Sequence, residues 1–374
     1  MTGWALTLVI AAAVVPSFVI AWLTVGWVRG AAEQLGLLDK PGARKVHTTP
    51  IPLGGGVGIW AGVVGTLAAG SLAAWLLANN ASLAAAIPAG LSRYLPGLLG
   101  KIAEVWVIVG CGTVLMLLGL WDDRRGIPWW LRLGVEIVVA TFCVYWQGLQ
   151  LTAFIPVPWL TSALSVLWIV AMINSFNMLD NMDGLSGGVA AISASLLAVM
   201  LLTSPDPSGG QPQLFVAVML FVVVGAILGF LRHNWPPAKI FMGDAGSYFV
   251  GFWIAVATLL ATYAGYQGST PHAVVAPLVV MAVPLYDMCS VILIRLREGR
   301  SPFEADKRHF SHRLVDLGMT KKQAVLTIYL ATATCSMGAL LLPRVDMFGA
   351  VLIVLSTLLV LGLVMVLESV RQSD

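Results

Sequence analysis

Residues 174–188 read NSFNMLDNMDGLSGG, with LSVLWIVAMI directly before them and VAAISASLLAVMLL directly after. Both flanks are apolar and suit helices crossing a bilayer, which takes about 20 residues, so the stretch is a polar break between two membrane helices. A hydrophilic turn needs one or two of Asn, Asp and Gly for backbone reasons. Here Asn174, Asn177, Asp180, Asn181 and Asp183 recur within ten positions. Polar groups at that depth are costly and mark catalytic or transport sites.

The rest of the chain agrees with a membrane reading. Of 374 residues, 59% are hydrophobic and only 10% charged, and no alternating strand pattern appears, so the expected fold is an all-α polytopic integral membrane protein. It forms one transmembrane domain over residues 1–374, with no internal repeat, linker or soluble domain. The opening apolar segment has no basic residue before it and is too long for a signal-peptide core, so it reads as a retained helix. Cys111, Cys143, Cys289 and Cys335 fall in apolar runs without paired spacing, as packing residues do.

Apolar runs long enough to cross lie near 4–28, 53–76, 102–120, 129–146, 157–173, 185–203, 213–231, 247–265, 273–294, 323–342 and 347–367, about eleven crossings. An odd number puts the termini on opposite sides. If the segments after the first, third, fifth, seventh and ninth runs and the C-terminus are cytoplasmic, they hold all of the 21 basic residues except Arg93, Lys101 and Arg344. The positive-inside rule then places the N-terminus outside and the C-terminus in the cytoplasm. The net charge of +3 describes that face and not a nucleic-acid surface. The same assignment, made without the acidic residues, gathers Asp122, Asp123, Asp180, Asp183, Asp244, His309 and His312 on the cytoplasmic side.

Each loop on that side has a chemical reading. GLWDDRRG sets Asp122 beside Asp123, and adjacent carboxylates repel unless a cation or shared proton relieves them; a solvated turn paired to Arg124 and Arg125 is the plain alternative. HNWPPAKIFMGDAGS places Lys239 and Asp244 around a Gly-rich turn that opens a helix, a place that favours anions. SPFEADKRHFSHRL gathers Lys307, Arg308, His309, His312 and Arg313, an anion clamp or a patch for lipid headgroups, in a charged segment over 296–322 suited to a short surface helix. DNMDG lacks the alternation of a calcium loop, GGGVG is no dinucleotide fingerprint, no P-loop is present, and zinc ligands are scarce. Oxygen ligands with basic residues point to magnesium and phosphate.

With these motifs in order, from DKPGARKVHTTPIPLGGG at 39–56 through GLWDDRRG, NSFNMLDNMDGLSGG and PAKIFMGDAGSYFVGF to DKRHFSHRL, the chain resembles the polyprenyl-phosphate N-acetylhexosamine-1-phosphate transferases over nearly its whole length. That family, glycosyltransferase family 4, includes bacterial UDP-GlcNAc:undecaprenyl-phosphate transferases and the phospho-MurNAc-pentapeptide translocase. The resemblance implies transfer of a sugar-1-phosphate from a UDP-N-acetylhexosamine to undecaprenyl phosphate, with UMP released, at the cytoplasmic face of the bacterial inner membrane. It implies a Mg2+ cofactor, with Mn2+ as the alternative, bound by Asn177 and Asp244. It makes Asp122, Asp123, Asp244, His309 and His312 catalytic. Substrate binding falls to Lys45, His47, Asn174, Asp180, Asp183, Asn234, Lys239, Arg308 and Arg313, with Asp183 at the uridine end. Partners are the two substrates and membrane lipid; a homodimer is compatible with the pattern. Relatives usually have two adjacent histidines where this chain has Ser311 and His312. DKRHFSHRL is similar to the simple-sugar branch, which favours GlcNAc-1-phosphate and a first lipid-linked intermediate of a cell-envelope polysaccharide. The alternatives are the peptidoglycan phosphotransferase and, from another class, an ion-coupled transporter. Transporters keep such groups near the bilayer midplane, where this sequence offers only Glu136 and Asp287 inside apolar runs.

Overall fold

The computed structural model describes residues 3–39, 50–85, 92–151, 155–204, 212–261, 263, 270–304 and 308–369. Among them, ten helices are long and apolar enough to cross a membrane, or eleven if a bent pair is one span. In chain order the helices that matter here are α1 (Gly3–Ala31), α2 (Gly55–Asn79), α3 (Leu95–Arg125), α4 (Trp129–Trp146), α5 (Pro158–Leu179) and α6 (Leu185–Thr203). They continue with α7 (Leu214–Asn234), α8 (Gly243–Leu260), α9 (Ala282–Arg297), the short α10 (Phe310–Asp316), α11 (Lys321–Leu341) and α12 (Met347–Ser369). The protein is a multi-pass membrane protein, and every expected crossing has a counterpart.

The ninth crossing, expected as one helix over 273–294, is broken: Pro271–Val280 meets Ala282–Arg297 at 64°. Pro284 has no N–H to return to the carbonyl of Val280, four residues back. That carbonyl accepts instead from the hydroxyls of Ser193 at 3.3 Å and Ser336 at 3.4 Å, which is how a broken helix keeps its polar backbone satisfied inside a membrane.

Two helix ends differ from the apolar runs that announced them. The third crossing continues past residue 120 to Arg125, so Asp122 and Asp123 sit in a last helical turn and not in the following loop. It stops where Gly126, at φ 65°, turns its N–H back to the Asp122 carbonyl. The fifth runs to Leu179, which makes Asn174 and Asn177 helical. Hydrophobicity reports the lipid-immersed part of a helix, whereas backbone hydrogen bonding carries on beyond it.

A two-residue antiparallel ribbon, Leu38–Asp39 with Ile51–Pro52, also departs from the all-helical expectation. It docks on the segment before α8: the Phe241 N–H donates to the Pro52 carbonyl, and the Gly55 and Gly56 N–H groups donate to the carbonyls of Phe241 and Met242, each at 2.9 Å. Lys45 and His47 lie outside the described residues.

At the centre stands α8, packed against α2, α3 and α5, with 78% of its span buried. Small residues let its first turn approach its neighbours closely. A Cβ on Gly56 would fall 2.1 Å from the Gly246 nitrogen, and one on Gly119 would fall 2.3 Å from the Asp244 carbonyl carbon. By contrast α12 turns Leu, Val and Met side chains outward along its length, as a lipid-facing helix does.

Candidate active site

The site is built on the first turn of α8. Its leading amides have no partner within the helix. Asp123, from the end of α3, supplies one: Oδ1 accepts from the Asp244 N–H at 2.9 Å and Oδ2 from the Ala245 N–H at 3.2 Å. Gly243, at φ 72°, is required here twice over, because a Cβ would meet Asp123 Oδ2 at 2.5 Å.

This anchoring aims the Asp244 carboxylate at α5. Asn177 Nδ2 donates to Asp244 Oδ1 at 2.6 Å and to Ser247 Oγ at 3.1 Å. Asp122 comes in beside it from α3, both within reach of the Arg132 guanidinium. Its Oδ1 accepts from the Ile127 N–H at 2.7 Å, and its Oδ2 from Arg132 Nη1 at 2.8 Å and the Tyr248 hydroxyl at 3.3 Å. The Arg132 guanidinium lies between the two carboxylates, 4.0 Å from Asp244 Oδ2.

The polar stretch after α5 completes the rim. Asp180 is half-buried beside the Gly243 N–H, and burial, with the charges of Asp123 and Asp183, pushes its carboxyl up to about 7. Asp183 Oδ2 accepts from the Ala238 N–H at 2.9 Å. The turn at Gly184, φ 75°, is gripped from both sides: its N–H donates to Asn234 Oδ1 at 2.8 Å, and its carbonyl accepts from the Tyr329 hydroxyl at 2.5 Å. Asn234 spends its amide on the Ile240 carbonyl, so it shapes the turn. Lys239 leaves its side chain exposed at the edge.

The histidine loop joins through Ser311, whose hydroxyl donates to Asn181 Oδ1 at 2.5 Å. The residue that departs from the family pattern is thus a tether between the two segments. His309 is held by Asp287, with Nδ1 2.9 Å from Oδ2, while the Phe310 N–H donates to Oδ1 at 2.6 Å. His312 stands with its ring 6.3 Å from that of His309. Arg308 pairs with Glu298 at 2.9 Å. Arg313 turns away from the carboxylates to Glu368 of α12. Asn174, one turn deeper on α5, donates to Glu136 Oε2 at 2.5 Å and the Val170 carbonyl at 2.9 Å.

Arg132, Glu136, Tyr248, Asp287 and Tyr329 were not among the expected site residues. Carboxylates inside apolar runs signal Glu136 and Asp287, and Arg132 follows the adjacent aspartates by ten positions on the next helix. Tyr248 and Tyr329 carry no signal that separates them from core aromatics.

Among the described residues, no three His, Cys, Asp or Glu side chains converge as a metal-binding group. The hard oxygen donors that converge are the Asp244 and Asp122 carboxylates, and the Asn177 carboxamide stands beside them with its N–H turned to Asp244 Oδ1. That set fits magnesium, which takes one or two protein carboxylates and leaves other positions to water and phosphate. The one guanidinium of Arg132 offsets part of the negative charge gathered there, and a divalent cation would offset the rest.

Comparison with known proteins bears on this geometry. A family model described as glycosyl transferase family 4 matches residues 105–262, a stretch that holds every carboxylate of the cluster. The chain is 31% identical to the probable undecaprenyl-phosphate N-acetylglucosaminyl 1-phosphate transferase of Bacillus subtilis, over 91% of this chain and 88% of that one. It is 31% identical to the decaprenyl-phosphate N-acetylglucosaminephosphotransferase of Mycobacterium tuberculosis, with 95% and 88% covered. The undecaprenyl-phosphate alpha-N-acetylglucosaminyl 1-phosphate transferase of Escherichia coli K12 is also 31% identical, with 84% and 79% covered.

Proposed function

The chain belongs to glycosyl transferase family 4, among the polyprenyl-phosphate GlcNAc-1-phosphate transferases, and from that premise we propose that it transfers GlcNAc-1-phosphate from UDP-GlcNAc to undecaprenyl phosphate. UMP leaves, and the product is the first lipid-linked intermediate of a cell-envelope polysaccharide. The observation that carries the reading is the joining of four separate segments around one carboxylate cluster, through Asp123 to the α8 amides, Asn177 to Asp244, Asp183 to Ala238 and Ser311 to Asn181.

In this reading an oxygen of the lipid phosphate attacks the sugar-linked phosphorus, and the bond from that phosphorus to the UMP oxygen breaks. Magnesium held by Asp244 and Asn177 would supply positive charge against the diphosphate. In the same reading Arg132, His309, His312, Arg308 and Lys239, as cationic or hydrogen-donating groups, offset charge building on the transferring phosphate. Asp122, aimed by Ile127, Arg132 and Tyr248, positions the acceptor. No strong base is required, because a phosphate monoester has a second pKa of about 6 and is mostly dianionic at neutral pH. Asp183 and the turn gripped by Asn234 and Tyr329 hold the uridine end. Asp180, half-buried and held above the usual carboxylate range by burial and by the charges of Asp123 and Asp183, would be lowered toward that range by positive charge arriving at the cluster.

The test is donor competition with purified protein, undecaprenyl phosphate and magnesium. UDP-GlcNAc is expected to be consumed with UMP release, ahead of UDP-GalNAc and UDP-MurNAc-pentapeptide. Preferential use of the pentapeptide nucleotide would move the protein to the peptidoglycan branch. Turnover of UDP-GalNAc over UDP-GlcNAc would change the sugar alone.

Sidedness follows from the distribution of basic residues. In a variant stripped of its four native cysteines, Arg124→Cys is expected to resist a membrane-impermeant thiol reagent in intact cells, and Ser208→Cys to react. The opposite pattern would place the site away from cytosolic UDP-sugars.

A further inference from the structure

Glu368 is the one acidic residue of α12, a helix of otherwise apolar and small side chains. Only 17% of that span is buried, yet the Glu368 side chain is 8% exposed. Its Oε2 lies 3.0 Å from Arg313 Nε and accepts from the Tyr286 hydroxyl at 3.0 Å. The contact with Arg313 is an ion pair, and among the described residues Glu368 Oε1 has no hydrogen-bond partner. Arg313, itself 13% exposed at its side chain, gives Nη2 to Ser290 Oγ at 2.9 Å and Nη1 to the Arg308 carbonyl at 2.5 Å. One guanidinium thus joins the end of α12, the α9 helix that carries Asp287, and the peptide directly before His309.

We propose that Glu368 is a positioning residue for the transfer reaction, acting through Arg313 to hold the Arg308–His309 segment in register with the carboxylate cluster. The proposal rests on the reading that the histidine loop serves phosphosugar transfer. Its physical basis is that a largely buried guanidinium deprived of its counter-ion is strongly disfavoured where it stands. Arg313 would then leave the Arg308 carbonyl, and the peptide before His309 would lose that hold, keeping the Phe310 N–H bond to Asp287 and the His309 carbonyl's bond to the Arg313 N–H. A shift of about 1 Å in a positioned group can cost on the order of 100-fold in rate.

Full-length Glu368→Gln, Arg313→Gln and the double variant are purified and compared with the parent. Each single change is expected to lower kcat for UMP release by about 10-fold to 100-fold, with KM for UDP-GlcNAc little altered. The double variant should be no slower than Arg313→Gln, because Glu368 acts through that residue. Diethyl pyrocarbonate should modify His309, 7% exposed in the parent, several-fold faster in Glu368→Gln, as read by peptide mass spectrometry. Parental kcat together with parental His309 labelling, or losses that multiply in the double variant, would overturn the proposal. If Glu368→Gln does not fold, Glu368→Asp, which keeps the charge but draws it back from Arg313 by one methylene, carries the same test, with parental turnover and labelling overturning the idea. A parent protein without UMP release would overturn the proposed function, and His309 labelling would then decide the positioning role alone.

Discussion

Asp244→Ala is expected to lower turnover by on the order of 1000-fold or more and to remove the magnesium dependence of nucleotide-sugar binding. Asn177→Ala should weaken the same binding, since it removes the amide whose N–H donates to Asp244 Oδ1 and Ser247 Oγ and holds that carboxylate in place. Asp122→Asn should behave differently, impairing turnover while nucleotide binding is largely kept. Asp122 faces Arg132 and Tyr248, on the side assigned to the lipid phosphate. Binding of UDP-GlcNAc by calorimetry, with magnesium and with chelator, separates these cases from loss of folding. Parental activity undiminished by chelator, or an active Asp244→Ala protein, would sink the metal assignment.

The aspartates and asparagines of residues 174–188 were legible because charge and amide are conspicuous in an apolar chain. What they touch was not. Asp123 looked like half of a catalytic pair, and its geometry makes it the anchor of the α8 amides, a contact spanning more than a hundred positions of sequence. Such a contact depends on two helices ending at one level, and the apolar runs placed those ends several residues short. Arg132 was visible as a charge that helps orient the chain; its place between Asp122 and Asp244 follows from the turn at Gly126 and the start of α4 at Trp129. Glu136 and Asp287 stood out as carboxylates inside apolar runs and served to weigh a transporter. The structure commits Glu136 to Asn174 and Asp287 to His309 and the Phe310 amide. Arg313 shows the same limit: its company of basic residues suggests anion binding, and the ion pair it makes with α12, more than fifty positions away, carries no signal in the sequence.

The strongest test that this anchoring matters is at Gly119, a buried residue with no side chain, packed against the first turn of α8. A Cβ there would lie 2.3 Å from the Asp244 carbonyl carbon and 2.4 Å from the Ala245 nitrogen. Both are backbone atoms of a helix packed on three sides, so neither can swing aside as a flexible side chain would. Gly119→Ala must therefore push α3 and α8 apart by about 1 Å, and Asp123 must let go of amides it holds at 2.9 and 3.2 Å. Overpacking of this kind costs typically about 1–3 kcal/mol of stability. The displacement of Asp244 adds a rate loss on the order of 100-fold. Gly110→Ala is the control, on the same helix with nothing within 4 Å of the added carbon; it should leave melting temperature and kcat unchanged. A Gly119→Ala protein that folds and turns over like the parent would mean that the α3 and α8 ends move freely without consequence, and that Asp123 acts otherwise than by fixing the start of α8.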